Sequence, residues 1–210
     1  MSIKILVVDD HQLFLDGLEF ILRENAFEVE CVSTIDDAKI FLQPKNGFDL
    51  ALIDIDLSGT DGLQILNYVR SEKLLIPIIT ISANLKPALI SRCFALGASG
   101  YIPKSLSASA MIGAINQVLS GINFIPDNLK NAISQYDQKI ERLSKLYGIR
   151  SRQLEVLKYM ETGLSNKDIG KKLFISEATV KSHVATLFKA MNAKNRVDCL
   201  NLARIQGLLD

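Results

Sequence analysis

The sequence predicts an α/β domain on a five-stranded parallel sheet, followed by a small all-α domain. Two observations lead to this prediction. Residues 3 to 121 alternate five short apolar runs with five longer amphipathic runs, whereas residues 149 to 206 show four helical patterns and no strand pattern. The charges divide in the same way, since residues 1 to 144 carry 12 Lys and Arg against 17 Asp and Glu, and residues 145 to 210 carry 12 against 6. An acidic part joined to a basic part indicates two domains with different partners, the basic one facing a polyanion such as nucleic acid.

The five apolar runs are typical of strands that are buried on both faces. They read IKILVV, FEVECV, DLALID, IPIITIS and SGYIP, and Val, Ile and Leu dominate them. Such runs belong to parallel sheets that are covered by helices on both sides. The helical patterns that follow them cover residues 12–24, 35–42, 63–71, 87–96 and 108–120. Strict alternation of strand and helix predicts a doubly wound α/β fold.

Residues 123–147 are predicted to form a helical linker between a domain at 1–122 and a domain at 148–210. A Pro-Asp-Asn sequence at Pro126 is a typical helix start. The apolar residues that follow step by 4, 3, 4, 3 and 4 positions: Leu129, Ile133, Tyr136, Ile140, Leu143 and Tyr147. This stripe either packs on the chain's own domains or contacts a second copy in a dimer.

Residues 149 to 206 read as four short helices, each preceded by a residue that suits an N-cap. These residues are Ser151, Ser165, Ser176 and Asn195. Their side chains accept hydrogen bonds from the free N–H groups of a first helical turn. The pattern predicts an all-α domain of four helices.

Membrane proteins and disulfide-rich secreted proteins are disfavoured by two observations. The first apolar run is interrupted by Lys4 and ended by Asp9, so it is too short for a signal peptide or a membrane span. Cys31, Cys93 and Cys199 are odd in number and widely spaced, which indicates reduced thiols rather than disulfides or a zinc site. We therefore expect a cytoplasmic protein with no membrane partner.

Polar and charged side chains follow the predicted strands at the edge where parallel sheets bind ligands. They are Asp9, Asp10, Asp54, Asp56, Ser82 and Lys104. Carboxylates that repel each other are relieved by a hard divalent cation, and Mg²⁺ prefers such oxygen ligands. The sequence therefore predicts a Mg²⁺ site at which the Asp54 carboxylate attacks a phosphoryl group and Lys104 supplies a counter-charge.

Residues 1–122 resemble a response-regulator receiver domain, which has a flavodoxin-like fold. The resemblance is carried by VVDD at the first strand, LID at the third, ISA at the fourth and YIPK at the fifth. It implies that Asp9 and Asp10 bind Mg²⁺, and that Asp54 accepts phosphate from a partner histidine kinase. It also implies that Asp56 lends its backbone carbonyl to the metal.

The same resemblance implies a switch around the phosphoryl group. Ser82 would hydrogen-bond the phosphoryl group, Lys104 would pair with it, and Tyr101 would swing inward when Ser82 moves. Ala83 is small and would leave an approach for the phosphodonor. Tyr101 as plain core packing is the alternative interpretation, and His11 is interpreted as a helix-start residue rather than a ligand. The chain departs from the family at Ser58, where proline is usual.

The helical pattern at 177–191 has one apolar face and one face of small, polar and cationic residues. A surface of this kind suits close approach to base edges in the DNA major groove, while lysines of the preceding helix suit contacts to phosphate. The predicted DNA-contacting residues are Asn166, Lys167, Lys171, Lys172, Thr179, Lys181, Ser182, Ala185 and Lys189. A solvated lysine face is the alternative.

Residues 149–207 resemble the LuxR-type helix-turn-helix in the stretch GLSNKDIGKKLFISEATVKSHV. Both resemblances together indicate a NarL/FixJ-type response regulator, which implies a transcription regulator that binds double-stranded DNA as a homodimer and is not an enzyme. The departures are Arg150 where a capping Thr is usual, Gly170 where Ala is usual, and Ala185 where a polar or basic residue often reads DNA. Ser151 is expected to substitute as the cap, and Gly170 to cost about 1 kcal/mol of helix stability.

Two other functions stay open at this point. One is a constitutive DNA-binding regulator with a vestigial receiver domain. The other is an aspartate-nucleophile phosphohydrolase, because the sequence from Asp54 to Ser58 superficially matches a haloacid-dehalogenase-like signature. That signature normally lies on the first strand with an acidic pair later in the chain, whereas here the acidic pair precedes it.

Overall fold

The structure, a computed structural model, describes residues 2–57 and 61–209. The predicted departure at Ser58 lies outside these residues. The chain divides into two compact units, Met1–Ile133 and Ser134–Asp210. Among the described helices, none combines the length and the apolar character needed to cross a membrane.

The first unit is a doubly wound α/β domain, which confirms the predicted fold class. Its parallel sheet has the strand order β2-β1-β3-β4-β5. The strands are β1 Ile3–Val8, β2 Phe27–Val32, β3 Leu50–Asp54, β4 Ile78–Ser82 and β5 Gly100–Pro103. The helices are α1 Gln12–Glu24, α2 Ile35–Phe41, α3 Leu63–Ser71, α4 Pro87–Ala95 and α5 Ala108–Leu119, with a 3-10 turn at Pro44–Asn46.

Two apolar clusters on opposite faces of the sheet explain why the strands are nearly all apolar. Leu6 and Val8 of β1 pack with residues of α2, α3 and α4. Ile5 and Val7 of the same strand pack with residues of α1 and α5. Because successive side chains of a strand point to opposite faces, a strand covered on both sides is apolar at nearly every position. The edge strand β2 differs from the prediction, because it exposes Glu28 and Glu30.

A long helix, α6 Asp127–Tyr147, covers most of the segment predicted as a linker. Its first turns carry Leu129 and Ile133, which pack in the core of the first unit. Its last turns carry Leu143 and Tyr147, which pack against the core of the second unit. The division between the units therefore falls inside α6, and the domain bounds at 122 and 148 stay predictions.

The segment before α6 adds a short bridge to the edge of the sheet. The N–H of Phe124 donates to the Ser99 carbonyl at 3.0 Å, and the N–H of Tyr101 donates to the Phe124 carbonyl at 3.0 Å. Gly100 and Phe124 thus form a parallel bridge. No strand was predicted at this position.

The second unit contains the four predicted helices, α7 Ser151–Glu161, α8 Asn166–Leu173, α9 Glu177–Met191 and α10 Arg196–Ile205. Ser165, Ser176 and Asn195 cap α8, α9 and α10, because each side chain accepts a hydrogen bond from the backbone N–H three residues later. The prediction for Ser151 was wrong, because α7 begins at Ser151 and its N-cap is Arg150. The Gln153 side chain reaches back 2.8 Å to the backbone N–H of Arg150 and satisfies it instead.

Candidate functional site

The carboxyl ends of the strands bring the predicted acidic side chains together. In the sheet register Val8 lies opposite Ile53, so the residues that follow β1 and end β3 are neighbours. Asp9 and Asp54 are each only 1% exposed. Two carboxylates buried side by side repel each other and need a cation close by.

Lys104 is the cation that the fold provides for both carboxylates. Its Nζ lies 2.9 Å from Oδ2 of Asp54 and 2.7 Å from Oδ2 of Asp9. The ammonium also lies over the ring of Phe14, 4.7 Å from its centre. Burial lowers the pKa of Lys104, but the hydrogen bonds to Asp9 and Asp54 outweigh it, so that pKa is raised overall. Lys104 therefore stays charged and balances the acidic pair.

Asp54 is held by partners on both of its oxygens. Oδ1 accepts the backbone N–H of Asp56 at 3.0 Å, and Oδ2 accepts Lys104. Burial raises the pKa of Asp54, while the bonds from Asp56 and Lys104 oppose the increase. The side chain is thus fixed in orientation, and its ionised form depends on the neighbouring cations.

Gly62 lets the chain pass close behind Asp54, and sequence reasoning missed it. A Cβ on Gly62 would lie 2.2 Å from the carbonyl oxygen of Asp54. Real Cβ atoms do not approach backbone this closely, so any other residue would force the loop away from β3. A glycine directly before the third helical pattern was the available signal.

His11 enters the acidic cluster, which the sequence interpretation also missed. It is the N-cap of α1, as expected for a helix-start residue. Its ring Nδ1, however, lies 3.0 Å from Oδ1 of Asp9 and 3.1 Å from Oδ1 of Asp10. The available signal was a histidine directly after an acidic pair.

The donor set at this edge suits a divalent cation. Asp9, Asp10, His11 and Asp54 each offer a ligand atom, and these atoms lie within 4.8 Å of one another. Carboxylate oxygens are the ligands that Mg²⁺ prefers. The Asp56 side chain is turned away from this group, because its Oδ2 accepts the hydroxyl of Ser82 at 2.5 Å. The role predicted for Asp56 uses its backbone carbonyl and stays a prediction.

Ser82, Asn84 and Tyr101 form a connected chain of hydrogen bonds beside Asp54. Ser82 is fully buried, and its Oγ accepts the N–H of Asn84 at 2.9 Å. The hydroxyl of Tyr101 donates to the carbonyl oxygen of Asn84. Tyr101 is also fully buried, and this burial raises its pKa to about 12. Ala83 is exposed next to Ser82, as a path for a phosphodonor requires.

The second unit presents the predicted DNA-contacting face of α9 to solvent. The core side of α9 is formed by Val180, Leu187 and Met191. The exposed residues on the other side are Thr179, Lys181, Ser182, Ala185 and Lys189. Lys181 forms an ion pair with Glu177 at 2.8 Å. An exposed pair of this kind contributes little, so a phosphate can replace Glu177 at small cost.

Helix α8 carries the predicted phosphate contacts. Lys167 and Lys171 are exposed, and Asn166 and Lys172 are half-buried. Lys171 lies 3.6 Å from Asp168. Lys167 lies in the first turn of α8, beside Asp168, where the backbone N–H groups of a helix start favour anions. Lys171 and Lys172 lie in the last turn.

Two family models match the chain. Residues 5–116 match the response regulator receiver domain, and residues 150–203 match the bacterial regulatory proteins of the luxR family. This chain belongs to the response-regulator family. The glycerol metabolism activator of Pseudomonas putida is 31% identical over 205 residues, which cover 94% of this response regulator and 93% of that protein. The NarL/FixJ-type architecture and the transcription-regulator class predicted from the sequence are thereby confirmed.

Solved structures agree with this assignment. Response regulator ChrA of a heme-sensing two-component system is 27% identical, with a TM-score of 0.52 and 99% of both chains covered. RcsB of Salmonella enterica serovar Typhimurium, bound to a promoter in the presence of phosphomimetic BeF3-, is 22% identical, with a TM-score of 0.61, covering 96% of this chain and 98% of that one. At that identity the likeness to RcsB shows the fold alone.

Gly170 permits the turn between the two helices of the response regulator's helix-turn-helix. A Cβ on Gly170 would lie 2.7 Å from the carbonyl oxygen of Ile175. The N–H of Ile175 in turn donates to the Gly170 carbonyl at 3.0 Å. Gly170 lowers helix propensity, as expected, but it also lets α8 and the turn pack closely.

Arg196 fixes the same domain in a way that the sequence did not reveal. Its guanidinium donates to the carbonyl oxygen of Met160 at 3.0 Å and to that of Leu164 at 2.7 Å. Met160 lies in the last turn of α7, where carbonyls lack helical partners, and Leu164 lies in the loop that follows. Arg196 therefore ties α10 to the loop that leads into α8.

Proposed function

We propose that phosphorylation of Asp54 by a partner histidine kinase controls DNA binding by the LuxR-type domain. The observation that carries this proposal is the position of the Asp54 carboxylate. It is buried at the carboxyl edge of the sheet, 2.9 Å from the Lys104 ammonium, with Asp9 as a close neighbour. A carboxylate placed in this way faces a fixed positive charge that can also receive a phosphoryl oxygen.

The chemistry is a transfer between two proteins. An oxygen of the ionised Asp54 carboxylate attacks the phosphorus of a phosphohistidine on the kinase and forms an acyl phosphate. The phosphorus–nitrogen bond breaks, and its electron pair returns to the kinase imidazole, which takes up a proton. The response regulator acts here as the acceptor and regulator rather than as an enzyme with a separate substrate.

Asp9, Asp10 and Asp54, with the backbone carbonyl of Asp56, would hold Mg²⁺. When bound, Mg²⁺ neutralises negative charge on the transferring group. Lys104, at 2.9 Å from Asp54, would balance the same charge. The Ser82 hydroxyl, now bonded to Asp56, would turn to the phosphoryl group and so pull on the Asn84 and Tyr101 contacts.

The output is DNA binding in the cytoplasm by two copies on an inverted repeat of double-stranded DNA. The lysines of α8 would contact phosphates, and the exposed face of α9 would enter the major groove. In the proposed scheme, phosphorylation shifts an existing equilibrium toward the form that dimerises. Exposure of Lys181, Ser182, Ala185 and Lys189 on one face of α9 supports this role.

The test is covalent labelling. Radiolabelled phosphate should enter the full chain from a small phosphodonor only when Mg²⁺ is present, and Asp54→Asn should abolish the label. Asp36→Asn is a matched control, because the Asp36 side chain is 92% exposed on α2 and forms an ion pair with Lys39, three residues away. Full labelling of the Asp54 variant would assign the acceptor to another residue.

A constitutive DNA-binding regulator is the second candidate, and one observation favours it. Tyr101 is fully buried, with its hydroxyl bound to the Asn84 carbonyl, which is the inward position that the predicted switch assigns to the activated form. If this is the active arrangement, Asp54→Asn should occupy operator DNA as well as the phosphorylated wild type does. Under our proposal, unphosphorylated protein binds at least about tenfold more weakly in a gel shift, a typical size for allosteric coupling.

A further inference from the structure

The side chain of His11 has no role in the proposed mechanism and does not cap α1 by a side-chain hydrogen bond. Of this side chain, 58% is exposed. The ring nitrogen Nδ1 nevertheless points into the acidic cluster, 3.0 Å from Asp9, 3.1 Å from Asp10 and 3.8 Å from Asp54. A polar contact between Nδ1 and Oδ1 of Asp9 holds the ring in this inward orientation.

We propose that His11 is a metal ligand of the acidic site and makes this site bind imidazole-preferring divalent metals, such as Zn²⁺, more tightly than its carboxylates alone would. The proposal rests on the metal site of the proposed function and adds a nitrogen donor to it. It assigns the site a second class of ion beside Mg²⁺.

The spacing of the donor atoms supports this role. For metal–ligand bonds of about 2.1 Å, adjacent ligands of an octahedron lie about 3.0 Å apart and opposite ones about 4.2 Å apart. His11 Nδ1 lies 3.0 and 3.1 Å from the carboxylate oxygens of Asp9 and Asp10, which matches adjacent positions. The distance of 3.8 Å to Asp54 lies between the two values. Small side-chain movements would bring Asp54 to a ligand position as well.

The two oxygens of the Asp9 carboxylate face different partners, so that one oxygen faces Lys104 and the other faces His11 and the proposed metal position. Its Oδ2 faces Lys104 at 2.7 Å, whereas its Oδ1 faces His11. The backbone N–H of His11 also donates to this Oδ1 at 2.8 Å. That bond holds the loop so that the ring and the carboxylate oxygen stay on the same side. Lys104 and a metal held by His11 therefore use different atoms of Asp9.

The chemistry of the donors decides which ions gain. Imidazole nitrogen suits Zn²⁺, Ni²⁺ and Co²⁺, whereas Mg²⁺ binds oxygen and gains little from nitrogen. The cysteines do not offer a rival site. Cys93 and Cys199 are buried, and burial and nearby Glu19 raise the pKa of Cys31 to about 11, which keeps that thiol protonated.

The test compares Zn²⁺ and Mg²⁺ binding to the full chain by titration calorimetry. His11→Gln should weaken Zn²⁺ binding by about tenfold or more, the size expected for losing a ligand-sphere group, and change Mg²⁺ affinity far less. His183→Gln is the matched control, since His183 is the other of the two histidines and lies on α9. The contrary possibility is a ring that merely covers the carboxylates. In that case His11→Gln would strengthen binding of both ions, and the proposal would be overturned.

A second readout does not depend on the variants. With ¹⁵N-labelled histidine, Zn²⁺ should shift the Nδ1 resonance of His11 and leave that of His183 in place; an unchanged His11 signal at saturating Zn²⁺ would refute ligation. Failure of the proposed function looks different, because wild-type protein would then bind no Mg²⁺ or take no label from a phosphodonor. Equal Zn²⁺ affinity of wild type and His11→Gln would refute ligation by His11 and leave the proposed function intact.

Discussion

The ammonium of Lys104 lies 2.9 Å from the carboxylate of Asp54, although 50 residues separate the two in the chain. The contact joins the end of β3 to the loop after β5, which are not neighbours in the sheet order. It places a positive charge against the acidic edge before any metal arrives. Two predictions follow from this pair.

Lys104→Met should slow phosphorylation by about 10- to 100-fold, because it removes a preorganised positive charge that stabilises the transferring phosphoryl group. The rate of label incorporation from a small phosphodonor at fixed Mg²⁺ measures the effect. Lys45→Met, which removes an exposed lysine near the 3-10 turn, serves as control. A rate within twofold of wild type would show that Lys104 only balances Asp9 and Asp54 in the resting protein.

Asp54→Asn should stabilise the first unit near pH 7, by on the order of 1 kcal/mol, the size typical of single substitutions. The reason is that burial raises the pKa of Asp54, so its ionised form costs folding free energy above that pKa. As the pH falls through the raised pKa, wild type regains this stability, and the difference should vanish below the ordinary value of 3.8. Urea unfolding between pH 3 and pH 8 checks the sign; a variant less stable than wild type at pH 7 contradicts it.

Gly170→Ala should destabilise the second unit by about 1 kcal/mol or more, despite the better helix propensity of alanine. The new Cβ would press on the Ile175 carbonyl, and forcing atoms into a packed site costs about 1–3 kcal/mol. Gly113→Ala is the matched control, since a Cβ there meets nothing within 4 Å. That variant should gain up to about 1 kcal/mol. Thermal unfolding of both variants, read against wild type, decides whether the turn requires glycine.

Lys181→Ala should weaken DNA binding and lower the slope of log affinity against log salt by about 1, because one phosphate contact is lost. The exposed ion pair with Glu177 should not mask the effect. Gel shifts over a range of salt concentrations measure it, with Lys45→Ala as a control in the other unit. An unchanged slope would place Lys181 outside the DNA interface.

The strands and the acidic edge could be predicted because their signals are local. Ile5 and Leu6 are both fully buried, on opposite faces, so the run around them is apolar throughout. The order of a parallel sheet then gathers the residues after its strands. The roles of Tyr101 and Asp56 came from the family resemblance, since spacing alone says nothing about a switch.

What could not be predicted depends on contacts between distant segments. Arg196 donates to carbonyls 32 and 36 residues earlier. Glycine is required at position 62 because the backbone of β3, at Asp54, leaves no room for a Cβ. Ser151 failed as a cap because the helix begins one residue earlier, where the N–H groups of Gln153 and Leu154 already donate to the Arg150 carbonyl. The ring of His11 could equally have faced solvent. Each of these outcomes is decided by tertiary packing, which no local pattern encodes.

The bridge between Phe124 and the strand that carries Tyr101 has a mechanical consequence. Phe124 is hydrogen-bonded to both Ser99 and Tyr101, and only a few residues separate it from the start of α6. A displacement of this strand would therefore move the first turn of α6 with it, because a hydrogen-bonded segment transmits motion that a slack tether would absorb.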